Sequence, residues 1–99
     1  MNINEIEQIL KNIPNELYEV PKYGKLLSNI KVYKLYVVLD ITLSTGTVVA
    51  RFQIFDDMDF TLRIHNMDEV INYLKIHIKN VANRIRSYLD ILGFNCITL

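Results

Sequence analysis

Along this chain the spacing of apolar residues changes several times, and each change predicts an element. Asn2 precedes Ile3, Ile6, Ile9, Leu10 and Ile13, a recurrence of three and four that belongs to one face of a helix. Glu5 stands three residues after Asn2, as in a capping box, and Pro14 closes the helix. Residues 15–29 show no clean period; Pro21 and Gly24 fall there, Tyr18 and Tyr23 sit among charges, and the stretch reads as a surface connector. From residue 30 to residue 43 the period is two. Tyr33, Leu35, Val37, Leu39, Ile41 and Leu43 form one face, interrupted only by Lys31 at the start, with Lys34, Tyr36, Asp40 and Thr42 opposite. That pattern predicts one long, half-buried strand.

Ser44, Thr45, Gly46 and Thr47 make a turn, after which Val48, Ala50, Phe52 and Ile54 alternate with Arg51 and Gln53. A two-residue loop at Thr45 and Gly46 sets Leu43 against Val48, Ile41 against Ala50, Leu39 against Phe52 and Val37 against Ile54. All four pairs are apolar, whereas a slip by one residue opposes a core face to a wet one. In the same hairpin Asp40 can join Arg51 as a surface ion pair. Asp56, Asp57, Met58 and Asp59 form the next turn, and Phe60, Leu62 and Ile64 alternate with Thr61, Arg63 and His65 in a third strand. One register places Arg51 directly opposite Arg63, a mildly unfavourable like-charge pair; a shift by two avoids it.

The stretch RIHNMDEV then holds a histidine, an aspartate and a glutamate in eight positions. Met67, Val70, Ile71, Leu74, Ile78, Val81, Ala82, Ile85, Leu89 and Leu92 follow at helical spacing, so the acids belong to a helix start. Asn66 is the expected N-cap, with Asp68 and Glu69 in the first turn, where the helix dipole favours negative charge. Gly93 fits the left-handed position after the last turn, and Phe94 would contact Leu89 in a Schellman stop. Residues 95–99 resume an extended pattern. The expected architecture is α+β: a short N-terminal helix, an antiparallel meander of three strands, one long helix over residues 67–92 spanning roughly 39 Å, and a short last strand. The order is α-β-β-β-α-β in a single domain covering residues 1–99.

Composition narrows the function classes. A hydrophobic fraction of 51% against 22% charged residues belongs to a folded chain, and eleven basic residues cancel eleven acidic ones. Neutrality argues against nucleic acid as a partner, because no global field attracts phosphate. Cys96 is the only cysteine, which fits a reducing compartment and a structural thiol. The N-terminus lacks a basic start followed by an apolar run, and no stretch approaches the ~20 apolar residues of a membrane span. The expected location is the cytoplasm, with no membrane association.

Candidate chemistry is sparse. Asp56, Asp57 and Asp59 with His65 are the best metal ligands available, but read as a calcium loop from Asp57 they place Leu62 where glycine is required. His65 and His77 have no partner at the spacing of a nucleophile pair, and three isolated glycines cannot build a phosphate loop. No metal, no cofactor and no enzyme is expected. Surfaces say more: Tyr73, His77, Arg84, Tyr88 and Ile91 gather on one flank of the long helix, and Ile76 projects among Asn72 and Asn83. These residue types belong to protein interfaces, although Tyr73 and Tyr88 can equally lie over the sheet edge with their hydroxyls outward. On the other side of the sheet Val32, Tyr36, Val38, Val49 and Phe55 are too apolar for a fully wet face; the first helix is expected to cover part of it, and the remainder to serve a partner or a homodimer. Charge is segregated as well. Residues 56–69 hold five acids and one base, residues 75–86 four bases and no acid, and Lys22, Lys25, Lys31 and Lys34 form a second basic set.

VVARFQIFDD, followed by a helix and RSYLDILGFNCITL, resembles the C-terminal domain of flagellar hook-length control proteins over about half the chain. The resemblance implies a secretion-apparatus module. The residues themselves favour a small non-enzymatic protein that acts by stoichiometric association with a protein partner, as an adaptor or as an inhibitor of a larger assembly, in the style of phage-encoded inhibitors of host defence.

Overall fold

The computed structural model describes residues 1–20, 24–65 and 69–98, with the side chains of residues 69–74 and 98 excepted. The chain is α+β. A short helix α1 (Ile3–Leu10) leads into five antiparallel strands, β1 (Glu16–Val20), β2 (Gly24–Val32), β3 (Tyr36–Leu43), β4 (Val48–Phe55) and β5 (Asp59–Ile64), then a long helix α2 (Glu69–Ile91) and a last strand β6 (Asn95–Thr98). The six strands form one sheet in sequence order, with β6 parallel to β5 after the α2 crossover.

Local chemistry explains the start of α1 and the end of α2. The Asn2 side chain accepts from the Glu5 amide at 2.9 Å and donates to the Glu5 carboxylate at 2.9 Å, so the capping residues satisfy each other at the start of α1. At the end of α2, Gly93 has φ +94°, the Phe94 amide donates to the Leu89 carbonyl and the Gly93 amide to the Asp90 carbonyl, each at 3.0 Å. These are the two bonds of a Schellman motif, and buried Phe94 supplies its apolar contact. The expected cap Asn66, together with Met67 and Asp68, lies outside the described residues, as do the Val70, Ile71 and Leu74 side chains of the expected stripe. Ile78, Val81, Ala82, Ile85 and Leu89 are buried, while Leu92 is partly exposed.

Two expectations about the first half of the chain are overturned. Residues 15–29 are not a connector but hold β1 and most of β2, and the strand expected over residues 30–43 is two strands joined at Tyr33 to Leu35. Val32 faces Val37, so the buried face uses even positions in β2 (Leu26, Ser28, Ile30) and odd ones in β3. Lys31 therefore belongs to the open face opposite Val38, and Leu35, expected in the core, is 67% exposed. The turn was hidden because Tyr33, Lys34 and Leu35 continue the alternation and include no glycine, proline, asparagine or aspartate. β1 and β2 were hidden for a different reason. Their covered face holds Ser28, whose hydroxyl donates to the Pro14 carbonyl at 2.8 Å, and their other face is charged.

The β3–β4 hairpin keeps the expected pairs from Val37–Ile54 to Ile41–Ala50. Nearer the loop the register shifts: Thr42 faces Val48, and the expected Leu43–Val48 pair is not formed. Gly46 adopts φ +92°, its amide donates to the Leu43 carbonyl and the Leu43 amide to the Thr47 carbonyl, which makes a three-residue loop rather than a two-residue one. The extra residue is absorbed as a bulge at Val49, which turns into the core and is fully buried. β4 and β5 take the register with Arg51 opposite Arg63. Asp40 offsets that like-charge contact, accepting from Arg51 Nε at 2.6 Å and from Arg51 Nη2 at 3.0 Å.

One hydrophobic cluster joins Ile6 and Leu10 of α1, Ile78 to Leu89 of α2 and the face of the sheet built by Leu39, Ile41, Phe52, Ile54 and Phe60. Both helices therefore pack on the same side. The expectation that α1 covers part of the second face is wrong, because its buried stripe joins the same apolar face as α2. Among the described residues, no helix is long and apolar enough to cross a membrane.

Candidate functional site

The flank of α2 borders a groove. Its floor is Val81 and Ile85, both buried, and its opposite wall is Ile13 and Pro14 after α1 together with Leu17 in β1. Tyr88 closes one side, half-buried, while exposed Arg84 and Asn12 supply the polar rim. The groove has a volume of about 190 Å³, enough for one large side chain of a partner. Leu17 reaches it because the pairing of β1 with β2 shifts between Glu16 and Tyr18, and such a bulge re-aims the extra side chain.

The interface residues expected from the sequence are only partly gathered here. Arg84 and Tyr88 line the groove, and Ile91 joins them with Asn83 and Ser87 around a shallower depression farther along the helix. His77 stacks on Tyr18 at 5.1 Å between ring centroids, tying β1 to α2. Ile76 stands apart on the outer side of α2, 71% exposed, and Ile91 is 84% exposed. The side chain of Tyr73 lies outside the described residues. The wall is not evident from the sequence, where Ile13 continues the helical stripe, Pro14 closes the helix and Leu17 falls in a stretch without a clean period. Only Ile13 directly before Pro14 and Leu17 three positions after it offered a signal.

Electrostatics mark the same element. Lys75, Lys79, Arg84 and Arg86 are all exposed, and among the described residues none of them forms a salt bridge. Other basic residues are engaged: Lys25 meets Glu16 at 3.0 Å, and Lys31 approaches Asp40 at 3.8 Å. Lys25 and Lys31 point to the open face of the sheet, away from α2, so these two do not join the α2 bases in one surface, and Lys22 lies outside the described residues. Arg51 has its pKa raised, first by its hydrogen bonds with Asp40 and then by that carboxylate's charge, against the opposing effect of partial burial. Its guanidinium stays charged at any working pH.

The acidic turn and His65 do not converge. Asp59 begins β5 and His65 follows its end, six positions along an extended strand or roughly 20 Å apart. Asp57 instead accepts from the Asp59 amide at 3.0 Å, a turn-forming bond. Cys96 is half-buried against the core. No protein-family model, curated protein or solved structure matches the chain significantly, so the likeness to hook-length control domains rests on the sequence pattern alone.

Proposed function

We propose that the protein is a stoichiometric protein-binding module, an adaptor or an inhibitor of a larger assembly, that grips an acidic partner segment by an apolar anchor. The observation that carries this reading is the apolar groove of Ile13, Leu17, Val81 and Ile85 with Arg84 on its rim, set in a helix whose exposed bases lack partners among the described residues. An aromatic or branched aliphatic side chain entering the groove removes apolar surface from water on both partners. A neighbouring carboxylate meets Arg84, for which a charge-assisted, two-pronged bond is available. Lys75, Lys79 and Arg86 add long-range attraction, which raises association rate more than affinity. Recognition of this kind needs no reacting group, and a half-buried lone cysteine suits work in the cytoplasm.

Selection from a displayed library of random peptides tests the reading. The expected outcome is enrichment of peptides carrying Leu, Phe or Trp beside Asp or Glu. Arg84→Glu and Leu17→Asp should each weaken the selected peptide at least about tenfold, equivalent to ~1.4 kcal/mol, with unchanged circular dichroism. Peptides without that signature, or undiminished binding by both variants, would remove the groove as the binding site.

A further inference from the structure

The turn between β2 and β3 lacks the residues that short hairpin loops favour. Val32 faces Val37 and the Tyr33 amide donates to the Tyr36 carbonyl at 2.9 Å, so the loop proper is Lys34 and Leu35. Two-residue hairpin loops favour a positive φ, supplied by glycine or asparagine, yet neither residue has one. The loop also exposes apolar side chains: Tyr33 is 46% and Leu35 67% exposed. Behind them the rings of Tyr33 and Tyr36 stack at 4.9 Å, and Phe55 continues the row at 6.0 Å on the face of the sheet opposite the two helices. Departures from turn chemistry that leave apolar side chains in water mark functional positions.

The charges around this row indicate what it meets. Lys34 lies at one end, in the β2–β3 turn. Asp56 and Asp57 lie at the other, in the β4–β5 turn at the same end of the sheet, two strand spacings or about 10 Å away. None of the three forms a salt bridge among the described residues. An apolar row with a positive charge at one end and negative charges at the other is complementary to itself after a half-turn. We infer that a second copy of this chain docks here as a two-fold dimer, ring row against ring row, with Lys34 of each copy against Asp56 and Asp57 of the other. Two-fold contacts repeat each pair twice, so each charge pair acts in duplicate. The patch is small, which makes the dimer a weak and transient one. α2 packs on the opposite side of the sheet, so its groove stays free in both copies, and this inference stands independently of what the groove binds.

Sedimentation velocity of the whole chain decides. At low salt the sedimenting mass should rise from 11.6 kDa toward twice that value as the chain is concentrated to about 300 µM, because interfaces below about 1,200 Å² are weak and transient. Lys34→Glu alone, and Asp56→Lys with Asp57→Lys, should each weaken the dimer at least tenfold. An equimolar mixture of those two variants should dimerise again, because both charge pairs are then restored. A chain that keeps the single mass at every concentration overturns the inference and leaves the row to a different occupant. So does a dimer that withstands both charge reversals, or a mixture that fails to associate while each variant retains its circular dichroism.

Discussion

The two faces of the sheet bury the central strand by different means. Val37, Leu39 and Ile41 of β3 are sealed under the helices. Val38, Asp40 and Thr42, on the face opposite the two helices, are 4%, 1% and 6% exposed. Their cover comes from longer side chains on the flanking strands: Lys31 and Gln53 stand opposite Val38, Asn29 and Arg51 opposite Asp40. The Asn29 amide donates to the Thr42 hydroxyl at 2.9 Å, and Arg51 holds Asp40 with two hydrogen bonds. Burial under a helix is apolar and tolerates no polar atom without a partner. Burial under stems of lysine, glutamine and arginine keeps charged heads in water, so a carboxylate can sit beneath them. The second kind yields a face that is ordered and still open to a partner.

That contrast sets the order of effects expected from mutation. Phe52→Ala on the covered face should cost about 3–5 kcal/mol, since the ring is fully buried and packs at a tilt against Phe60, with centroids 5.8 Å apart. Phe55→Ala, three residues along the same strand but on the open face, should cost about 1 kcal/mol or less. Chemical denaturation that gave equal losses would break the distinction. Asp40→Asn comes next, at about 2 kcal/mol, because the buried position loses its charged hydrogen bonds with Arg51 and leaves that guanidinium opposite Arg63 without an offset. Urea melts of Asp40→Asn and of the double variant with Arg51→Gln sharpen the comparison: the double variant should lose less than the sum of the two single losses. Leu35→Ser should have the smallest effect on stability, within about 0.5 kcal/mol, because the residue is 67% exposed. A larger loss would mean that the tip is structural.

How far these faces can be read in advance depends on how their residues are buried. The β3–β4 hairpin and the end of α2 were legible, since a period-two run and a glycine followed by an apolar residue are local signals. The α2 flank was half legible: Arg84, Tyr88 and Ile91 stand out by type and spacing, yet the groove needs Leu17, which looked like part of a loop. β1 and the first part of β2 were not legible. Their alternation is diluted by Glu16, Glu19, Lys25 and Asn29, which face water, and by Ser28, which is buried but polar because the Pro14 carbonyl lies within reach of its hydroxyl. A buried serine and an exposed serine look alike in a sequence.

What the order of residues determined on its own is the set of elements with strong local period or explicit caps: α1 from the Asn2 and Glu5 pair, the long helix and its Gly93 stop, and the core pairs of β3 with β4. Tertiary structure alone decided three further matters. It divided an unbroken alternation at Lys34 and Leu35, chose the register that puts Arg51 beside Arg63, and laid α1 on the same side as α2. For the register and for α1 the deciding groups are distant in sequence. Asp40 neutralises a pairing between β4 and β5, and the apolar face shared by β2, β3 and β4 draws both helices to one side, leaving the charged and aromatic face uncovered. Local preference is worth tenths of a kcal/mol per residue, whereas burying one large side chain is worth about 1.5–3 kcal/mol, so where the two compete the long-range contact prevails.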